Sequence, residues 1–324
     1  MTFLCRVSFI FILGVVGITV GAGKTEAPVY KGAIIIDAAT GLVLFEDNAD
    51  SVSPPASITK LMTFLVVHDH IASGAITSQT PVGVSAASSK IGGTQVWLKQ
   101  GESFPVEEML YALMIQSAND CAHALALEVA GSADAFVGLM NARAKELGMT
   151  NTTFRSPHGL PPSNRRIADG DLTSPRDLAL LSRYLIQHTN ILDYSSIKER
   201  VFREGQTNGR IVMRNHNHLI DNVEGVDGLK TGYTSGAGFC LAATARRNGR
   251  RIVAVIMGSP SAKVRDLKMA ELLQRGFAAL PPADSPLTVA PMPANPATNP
   301  SGLKPINAAP AEISPVIKFK IPAR

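Results

Sequence analysis

The chain has few cysteines, few aromatic residues and no long apolar segment after its N-terminal region. Of its 324 residues only three are cysteine and one is tryptophan, and aromatic residues make up 6%. The net charge of +5 is modest, and the basic residues are scattered rather than grouped with aromatics, which argues against a nucleic-acid-binding protein. The cysteines and the seven histidines lack metal-ligand spacing, so neither a metal nor another cofactor is predicted.

The N-terminus has the pattern of an export signal. Arg6 precedes an apolar stretch from Val7 to Val20, and the small residues Gly21 and Ala22 follow, which predicts a signal peptide over residues 1–22. The stretch is short for a permanent membrane span and contains glycines, so an uncleaved anchor is the less favoured alternative. The mature protein is therefore expected in the periplasm or cell-wall space.

Cleavage of this signal would remove Cys5 and leave Cys121 and Cys240. Two thiols in an exported protein can form a disulfide. Both lie in apolar sequence contexts, however, where buried free cysteines are common. Nothing in the sequence brings the two together, so free thiols are the favoured expectation and pairing is the alternative.

The remaining chain divides into a core-forming part and a proline-rich end. Residues 23–280 are apolar enough to bury a full core and form one predicted folded domain. Residues 281–324 hold 11 of the 21 prolines and one aromatic residue, Phe319, which predicts an extended, disordered tail. The final apolar stretch, 316–321, is too short for a stable interfacial helix, so the sequence does not favour attachment to a membrane.

Predicted strands lie near both ends of the core-forming part. Residues 32–37 and 42–46 are predicted as two strands, and residues 239–246 and 250–257 as a hairpin around Asn248-Gly249, a strong two-residue turn signal. The helices between them imply an α/β (α+β) fold, in which an antiparallel sheet packs against helices and a helical subdomain is added.

The predicted helices carry clear start signals and apolar periodicity. The last one runs from Lys263 to Ala279 and offers Val264, Leu267, Leu272 and Phe277 to a core. The others are predicted from Ser57 onward, over 106–116, 120–130 and 134–147, and from a Ser174 cap to about Gln187.

The chemically informative feature is an ordered series of three short motifs, of which the first is Ser57-Ile58-Thr59-Lys60. It opens the apolar run 61–67, typical of a buried helix, whereas the Ser-x-x-Lys copies at 195–198 and 301–304 open no such helix. The three-residue spacing places Ser57 and Lys60 on one helix face, so the amine can reach the hydroxyl. Burial and a second nearby cation would keep Lys60 neutral, as a base for a serine nucleophile must be.

The second motif, Ser117-Ala118-Asn119, lies between two predicted helices. The Ser117 hydroxyl can relay a proton between the base and a leaving amine, and the Asn119 amide can hold a substrate peptide group. Taken alone, the motif is better explained by simple helix capping, since Ser and Asn are common caps.

The third motif is Lys230-Thr231-Gly232. Lysine and threonine can bind a carboxylate through charge-assisted and hydroxyl hydrogen bonds, and glycine lets a substrate backbone approach closely. Lys230 is also the predicted second cation beside Lys60. A glycine-rich strand end is the alternative for this motif alone, but the three motifs in this order indicate acyl transfer through a serine ester.

These motifs are those of penicillin-binding proteins and class A β-lactamases. Together with Pro54-Pro55, Ser156-Pro157-His158-Gly159-Leu160 and the residues around Lys230, they resemble the low-molecular-mass D-alanyl-D-alanine carboxypeptidases of the serine DD-peptidase group over roughly residues 33–277. The resemblance implies the transpeptidase fold shared by β-lactamases and DD-peptidases. It also implies removal of the terminal D-alanine from peptidoglycan stem pentapeptides and acylation by β-lactam antibiotics.

The resemblance further implies a role for each matching residue. His158 would be a loop histidine near the cleft, although a turn-stabilising role is equally compatible with its sequence context. The oxyanion hole would use the backbone N–H groups of Ser57 and Tyr233. The catalytic residues would be Ser57 as nucleophile, Lys60 as base and Ser117 as proton relay, and the substrate would contact Asn119, His158, Lys230, Thr231, Gly232, Tyr233 and Arg265.

Several related activities remain open at this level. A DD-endopeptidase, a β-lactamase and a β-lactam-binding sensor without turnover would use the same nucleophile. A class A β-lactamase would be expected to carry a glutamate and an asparagine on the loop after the second motif, and no convincing equivalent occurs between Asn151 and Thr173. Many carboxypeptidase relatives also continue into a β-rich domain with a membrane-binding helix, where this chain has its proline-rich tail.

Overall fold

The structure is a computed structural model that describes residues 29–205 and 209–282. The predicted signal peptide and the predicted tail beyond Pro282 lie outside the described residues.

A five-stranded antiparallel sheet joins the two ends of the described chain, in the order β2-β1-β9-β8-β7. Two small two-stranded sheets, β3-β4 and β5-β6, lie in the helical part. The strands of the described residues are β1 (Gly32–Asp37), β2 (Val43–Asp47), β3 (Pro81–Gly83), β4 (Ser103–Pro105), β5 (Glu199–Phe202), β6 (Ile211–Arg214), β7 (Val226–Thr234), β8 (Gly238–Arg247) and β9 (Arg250–Ser259).

The predicted hairpin is confirmed as β8 and β9. Arg247 pairs with Arg250, so Asn248 and Gly249 form a two-residue turn. Their φ angles of 49° and 76° are the left-handed pair that a type I′ turn needs. The turn places β9 in the centre of the sheet and leaves β7, which carries the third motif, at the edge.

Helices cover both faces of the sheet. They are α1 (Lys60–Ala72), α2 (Val106–Tyr111), α3 (Asn119–Ala130), α4 (Ala133–Glu146), α5 (Pro175–His188), α6 (Ile191–Ser195), α7 (Leu219–Asn222) and α8 (Ala262–Ala279).

Strand β1 is buried along its whole length because successive residues face two different cores. Ile34 and Ile36 face the larger core, formed with the helical subdomain, and Ile35 faces a smaller core under α8. The continuous apolar run of β1 is thereby explained by burial on both faces.

The buried face of α8 differs in part from the prediction. Leu272 is buried as expected, together with Met269 and Leu273, but Leu267 is 64% exposed. Residues 265, 269, 272, 273 and 276 follow the helical repeat on one face, and Leu267 lies outside that face.

The helical subdomain is built around α1 and α3. Residues 61–67 of α1 are buried, and small residues of α3 such as Ala122 and Ala126 let the helices approach closely. Cys121 and Cys240 are buried free thiols, the outcome that the sequence favoured.

Among the described helices none is by itself long and apolar enough to cross a membrane. Only α3 and α4 together meet that length and composition, and they are bent by 86° at their junction.

Candidate active site

Ser57 lies in a 3₁₀ turn, Ala56–Thr59, that leads directly into α1. The predicted helix therefore begins with a tighter turn, in which residues three apart are nearly eclipsed. This geometry puts the Lys60 amine 3.1 Å from the Ser57 hydroxyl oxygen. The preceding residue, Ala56, has a left-handed φ of 51°, which turns the chain sharply just before the serine.

The Lys60 side chain is completely buried among three oxygen atoms. Besides Ser57, its Nζ atom reaches the Asn119 Oδ1 atom at 2.6 Å and the His158 carbonyl at 2.7 Å. A neutral amine has two N–H groups for these two acceptors, which leaves its lone pair for the Ser57 hydroxyl proton. The contacts therefore suit a base.

The environment favours the neutral form of Lys60. Burial lowers the pKa of the Lys60 amine well below the ordinary lysine value, and the positive charge of Lys230 lowers this pKa further. The carboxylates of Asp171 and Asp120 act in the opposite direction. Burial is the largest of these effects, because no water compensates the charge of an ammonium group at this position.

Ser117 ends a π-helical turn, Ala112–Gln116, that continues α2. The predicted helix over 106–116 is thus divided, and such turns are frequent at functional sites. Ser117 itself has a left-handed φ of 64°, a conformation that costs a non-glycine residue about 1 to 2 kcal/mol. The strained residue directs the chain back toward Ser57, with which it lines one cavity.

The Asn119 side chain makes two hydrogen bonds to distant residues and does not cap a helix. Its Oδ1 atom accepts the Lys60 hydrogen bond, and its Nδ2 group donates to the Gly92 carbonyl at 2.9 Å. Helix α3 begins at Asn119, and Ala118 occupies the capping position without a side-chain bond. The capping interpretation of this asparagine is therefore excluded.

The third motif lies on β7, directly against the serine turn. A Cβ atom at Gly232 would lie 2.6 Å from the Pro55 carbonyl oxygen and 3.1 Å from the Ser57 backbone nitrogen. Only glycine lets the strand approach Ser57 this closely. The next residue, Tyr233, is exposed and stacks on Phe239 with ring centroids 4.1 Å apart.

Lys230 is buried behind this strand edge. Burial, and secondarily the charge of Arg265, lower the pKa of Lys230 to about 7. Its Nζ atom donates to the Thr231 carbonyl at 3.1 Å. A carboxylate entering here would restore the favoured charged form of Lys230, because opposite charges stabilise each other at low dielectric.

Arg265 lies in the first turns of α8 with a buried guanidinium group. Its Nε and Nη2 atoms bind Asp266 Oδ1 at 2.8 and 2.7 Å. The other Asp266 oxygen lies 3.5 Å from the ring of His218. Asp266 thus binds one edge of the guanidinium group, and sequence reasoning had not identified this residue.

A cavity of about 330 Å³ joins the predicted residues. It brings Ser57 and Ser117 of the first two motifs together with the β7 edge and Arg265. Lys60, Asn119 and Lys230 are buried beside it. Its lining comprises Ser57, Thr94, Ser117, His216, His218, Thr231, Gly232, Tyr233, Phe239, Ala262 and Arg265, of which Thr94, His216, His218, Phe239 and Ala262 were not predicted.

His158 contributes its backbone carbonyl to Lys60, and its ring stabilises a turn. The ring Nδ1 atom accepts the Leu160 N–H at 3.1 Å. Burial lowers the pKa of His158 to about 3, so the ring is neutral at physiological pH. The turn-stabilising alternative describes this side chain.

A buried carboxylate, Asp171, holds the segment that carries His158. One oxygen of Asp171 accepts the N–H groups of Arg155 and Ser156 at 2.6 and 2.9 Å, and the other accepts the hydroxyls of Thr59 and Ser156 at 2.8 and 3.0 Å. Gly159 closes this contact, since a Cβ atom there would overlap the Ala56 carbonyl. No sequence pattern had indicated Asp171.

In the part of the chain that the structure describes, no three histidine, cysteine or acidic side chains are grouped so that they could hold a metal ion.

The fold and the site geometry together are those expected of one class, the serine acyl-transfer enzymes with the penicillin-binding protein fold. Residues 23–261 match the family model described as D-alanyl-D-alanine carboxypeptidase, peptidase family S11. The chain belongs to this family, and the resemblance inferred from the motifs is confirmed.

Similar proteins include D-alanyl-D-alanine carboxypeptidase DacC of Escherichia coli, 39% identical over 267 residues, and DacF of Bacillus subtilis, 36% identical over 247 residues. These alignments cover 80% and 76% of this chain but 63% and 62% of the relatives, so the chain spans less than two thirds of their length. The ampicillin-bound form of penicillin-binding protein D2 from Listeria monocytogenes is similar in structure, with a TM-score of 0.69, 29% identity, and coverage of 78% of this chain and 99% of that one.

Proposed function

We propose that this protein is a serine-type D-alanyl-D-alanine carboxypeptidase that removes the terminal D-alanine of peptidoglycan pentapeptides through an acyl-enzyme on Ser57. The observation that carries the proposal is the buried Lys60 amine, 3.1 Å from the Ser57 hydroxyl and held by two further acceptors. Family membership supports the same activity.

In the proposed acylation step, neutral Lys60 takes the Ser57 proton while the serine oxygen attacks the carbonyl of the penultimate D-alanine. The attack places a negative charge on the carbonyl oxygen of the substrate, and the backbone N–H groups of Ser57 and Tyr233, which the close approach of Gly232 brings together, stabilise that charge. Ser117 passes the proton to the leaving amine as the peptide bond breaks. Asn119 and the His158 carbonyl keep the Lys60 amine in place.

The terminal carboxylate of the substrate is proposed to bind Lys230, Thr231 and Arg265. Thr231 and Arg265 line the same cavity as Ser57, and Lys230 is buried beside them. Because β7 is the edge strand of its sheet, its free side can pair with an extended peptide. The combination favours a substrate that ends in a free acid.

Hydrolysis completes the cycle when water attacks the acyl-enzyme with Lys60 again as base. A β-lactam presents a strained amide and a carboxylate to the same groups and is proposed to acylate Ser57.

A β-lactamase would also hydrolyse the resulting ester on Ser57 rapidly, and this would need a further base near that ester. The buried carboxylate of the 151–173 loop, Asp171, already accepts four hydrogen bonds and has no capacity left to activate water.

The substrate places the proposed activity outside the cytoplasm. The N-terminal pattern at residues 1–22 supports export, and the relatives are named as carboxypeptidases of the same kind. We propose a location in the periplasm or cell-wall space.

The test compares three substrates in parallel: a pentapeptide ending in D-Ala-D-Ala, a cross-linked peptide dimer and a penicillin. Released D-alanine from the pentapeptide, with slow turnover of the other two, is the expected result. Preferential cleavage of the dimer would identify an endopeptidase, and fast penicillin hydrolysis a β-lactamase. Ser57→Ala should abolish both turnover and labelling by fluorescent penicillin, and acylation without turnover of any peptide would indicate a sensor.

A further inference from the structure

A second cavity, of about 460 Å³, lies along the same strand as the active site. Its walls include Pro54, three residues before the serine, and Thr234 and Gly236 at the end of β7. The opposite wall is the loop that contains Leu160, Arg165 and Ile167.

The position of this cavity matches the course of a bound peptide. The β7 edge passes Thr231 in the active-site cavity and reaches Thr234 in the second cavity. Three residues of strand span about 10 Å. If the substrate carboxylate lies at Thr231 and the peptide extends along β7, the third residue from its C-terminus lies beside the second cavity.

The walls of the second cavity are mainly apolar although it is open to solvent. Ile167 is 51% exposed, and a Cβ atom at Gly236 would lie 3.6 Å from its Cγ1 atom, so the loop and the strand end face each other across a narrow gap. Leu160 and Pro54 extend this surface. The second cavity therefore suits the methylene groups of an aliphatic side chain.

The charge that a ligand can bind in the second cavity is that of Arg165. The other charged residue of the lining, Asp171, is buried, and its two oxygens already accept four hydrogen bonds from within the protein. No carboxylate of the described residues pairs with Arg165, whose backbone closes a turn by donating to the Pro162 carbonyl at 2.8 Å. The neighbouring Arg166, in contrast, pairs with Asp169 at 3.6 Å.

We propose that this second cavity is a specificity site for the third residue from the substrate C-terminus, and that it favours a side chain with an aliphatic stem and a terminal carboxylate, which Arg165 binds. The proposal rests on the proposed function, since it requires a peptide bound along β7 with its terminal carboxylate at Thr231. A side chain that ends in an amine would place like charges together at Arg165 and is disfavoured.

The test uses three peptides of the form Nα-acetyl-X-D-Ala-D-Ala. X is Nε-succinyl-lysine, which ends in a carboxylate, Nε-acetyl-lysine, which is neutral, or lysine, which ends in an amine. For the unmodified protein kcat/KM should be about two- to fivefold higher for the succinyl peptide than for the acetyl peptide, the range expected of one exposed charge pair. The difference should lie mainly in KM, because the contact is the same before and during reaction.

Two variants of the loop separate this effect from general charge. Arg165→Gln should remove the difference in kcat/KM between the succinyl and acetyl peptides, and Arg165→Glu should reverse the order in favour of the lysine peptide. Arg166→Gln changes the adjacent guanidinium group, which does not line the second cavity. This variant should keep the preference of the unmodified protein for the succinyl peptide. Labelling by fluorescent penicillin confirms that each variant retains a folded active site.

The outcomes are distinguishable. If the unmodified protein released no D-alanine from any of the three peptides, the proposed function itself would fail. If it cleaved all three equally, or if the preference survived in Arg165→Gln or disappeared equally in Arg166→Gln, the assignment of the second cavity would be overturned while the carboxypeptidase activity stood.

Discussion

At the scale of single residues, the proposed chemistry depends on which charges the fold permits. The Lys60 side chain is fully buried and lies near Lys230. Burial and the positive charge of Lys230 both lower the pKa of Lys60. Lys230 keeps a titratable charge, with a pKa of about 7, at the position where a carboxylate would enter. One lysine is thereby suited to accept a proton and the other to bind an anion.

Lys60→Arg should reduce acylation by penicillin at least a hundredfold although the charge is retained, because an arginine stays protonated and cannot act as a base. In the unmodified protein the rate should rise with pH as Lys60 loses its proton and reach its plateau below the ordinary lysine range, because its pKa is lowered. Stopped-flow acylation between about pH 5 and 9 measures this. A flat profile over that range would contradict the assignment of Lys60 as the titrating base.

Arg265→Ala should slow turnover of a peptide ending in a free acid about tenfold to a hundredfold, since a hydrogen bond to a charged group contributes roughly 1.5 to 3 kcal/mol. The same peptide ending in an amide should be affected far less, because it offers no charge to the guanidinium group. Lys263→Ala, an exposed change in the first turn of the same helix, serves as the matched control. Equal losses on both peptides would show that Arg265 supports α8 rather than substrate binding.

At the scale of secondary structure elements, the site is assembled from their ends and irregularities. Ser57 lies in the 3₁₀ turn before α1, Ser117 follows the π-helical turn after α2, and Gly232 lies near the end of β7. Asp171 attaches the loop at 155–171 to the 3₁₀ turn that carries Ser57. Its carboxylate accepts a hydrogen bond from the hydroxyl of Thr59, the residue before Lys60. Asp171 thus positions the His158 carbonyl and adds a negative charge near the base.

Asp171→Asn should move the acidic limb of the acylation profile to lower pH. The charge of Asp171 raises the pKa of Lys60, so its removal lowers that pKa and leaves more neutral amine at a given pH. The asparagine oxygen can keep the two backbone N–H bonds, and its NH₂ group can donate to the two hydroxyls. The control is Asp177→Asn at the start of α5, where a buried carboxylate accepts the Asn151 N–H and the Thr152 hydroxyl. A loss of rate without a shift of the limb would assign Asp171 a purely structural role.

At the scale of the whole molecule, the described residues include every predicted site residue and two hydrophobic cores. The predicted catalytic and binding residues all lie between Ser57 and Arg265, and α8 ends at Ala279 after covering one face of the sheet. The Arg250 guanidinium group reaches the Pro281 carbonyl, which is a reason to keep the chain through Pro282.

A chain that ends at Pro282 should therefore retain kcat/KM on a soluble pentapeptide within about twofold. Turnover of purified full-length and shortened proteins is compared, with far-UV circular dichroism as the check on folding. A large loss of activity in a folded shortened protein would show that residues 283–324 contribute to the site. A loss confined to binding of cell-wall sacculi would assign them a role in localisation.

The sequence by itself determined the features that depend on neighbours along the chain. The spacing of Ser57 and Lys60 predicted their contact because both lie within one helical turn, and Asn248-Gly249 predicted the hairpin because its two positions need left-handed φ angles. The order of the three motifs was sufficient to indicate acyl transfer and the family.

Only the tertiary structure decided the features that depend on distant contacts. The pKa of Lys60 is lowered by burial and by Lys230, 170 positions away. The carbonyl of His158 rather than its ring contacts the amine because a remote aspartate holds that loop. Leu267 is exposed because α8 packs on the sheet with the opposite face, which carries Met269 and Leu272. Desolvation, charge pairing and helix rotation all depend on what lies opposite a residue in space, and local sequence patterns do not contain that information.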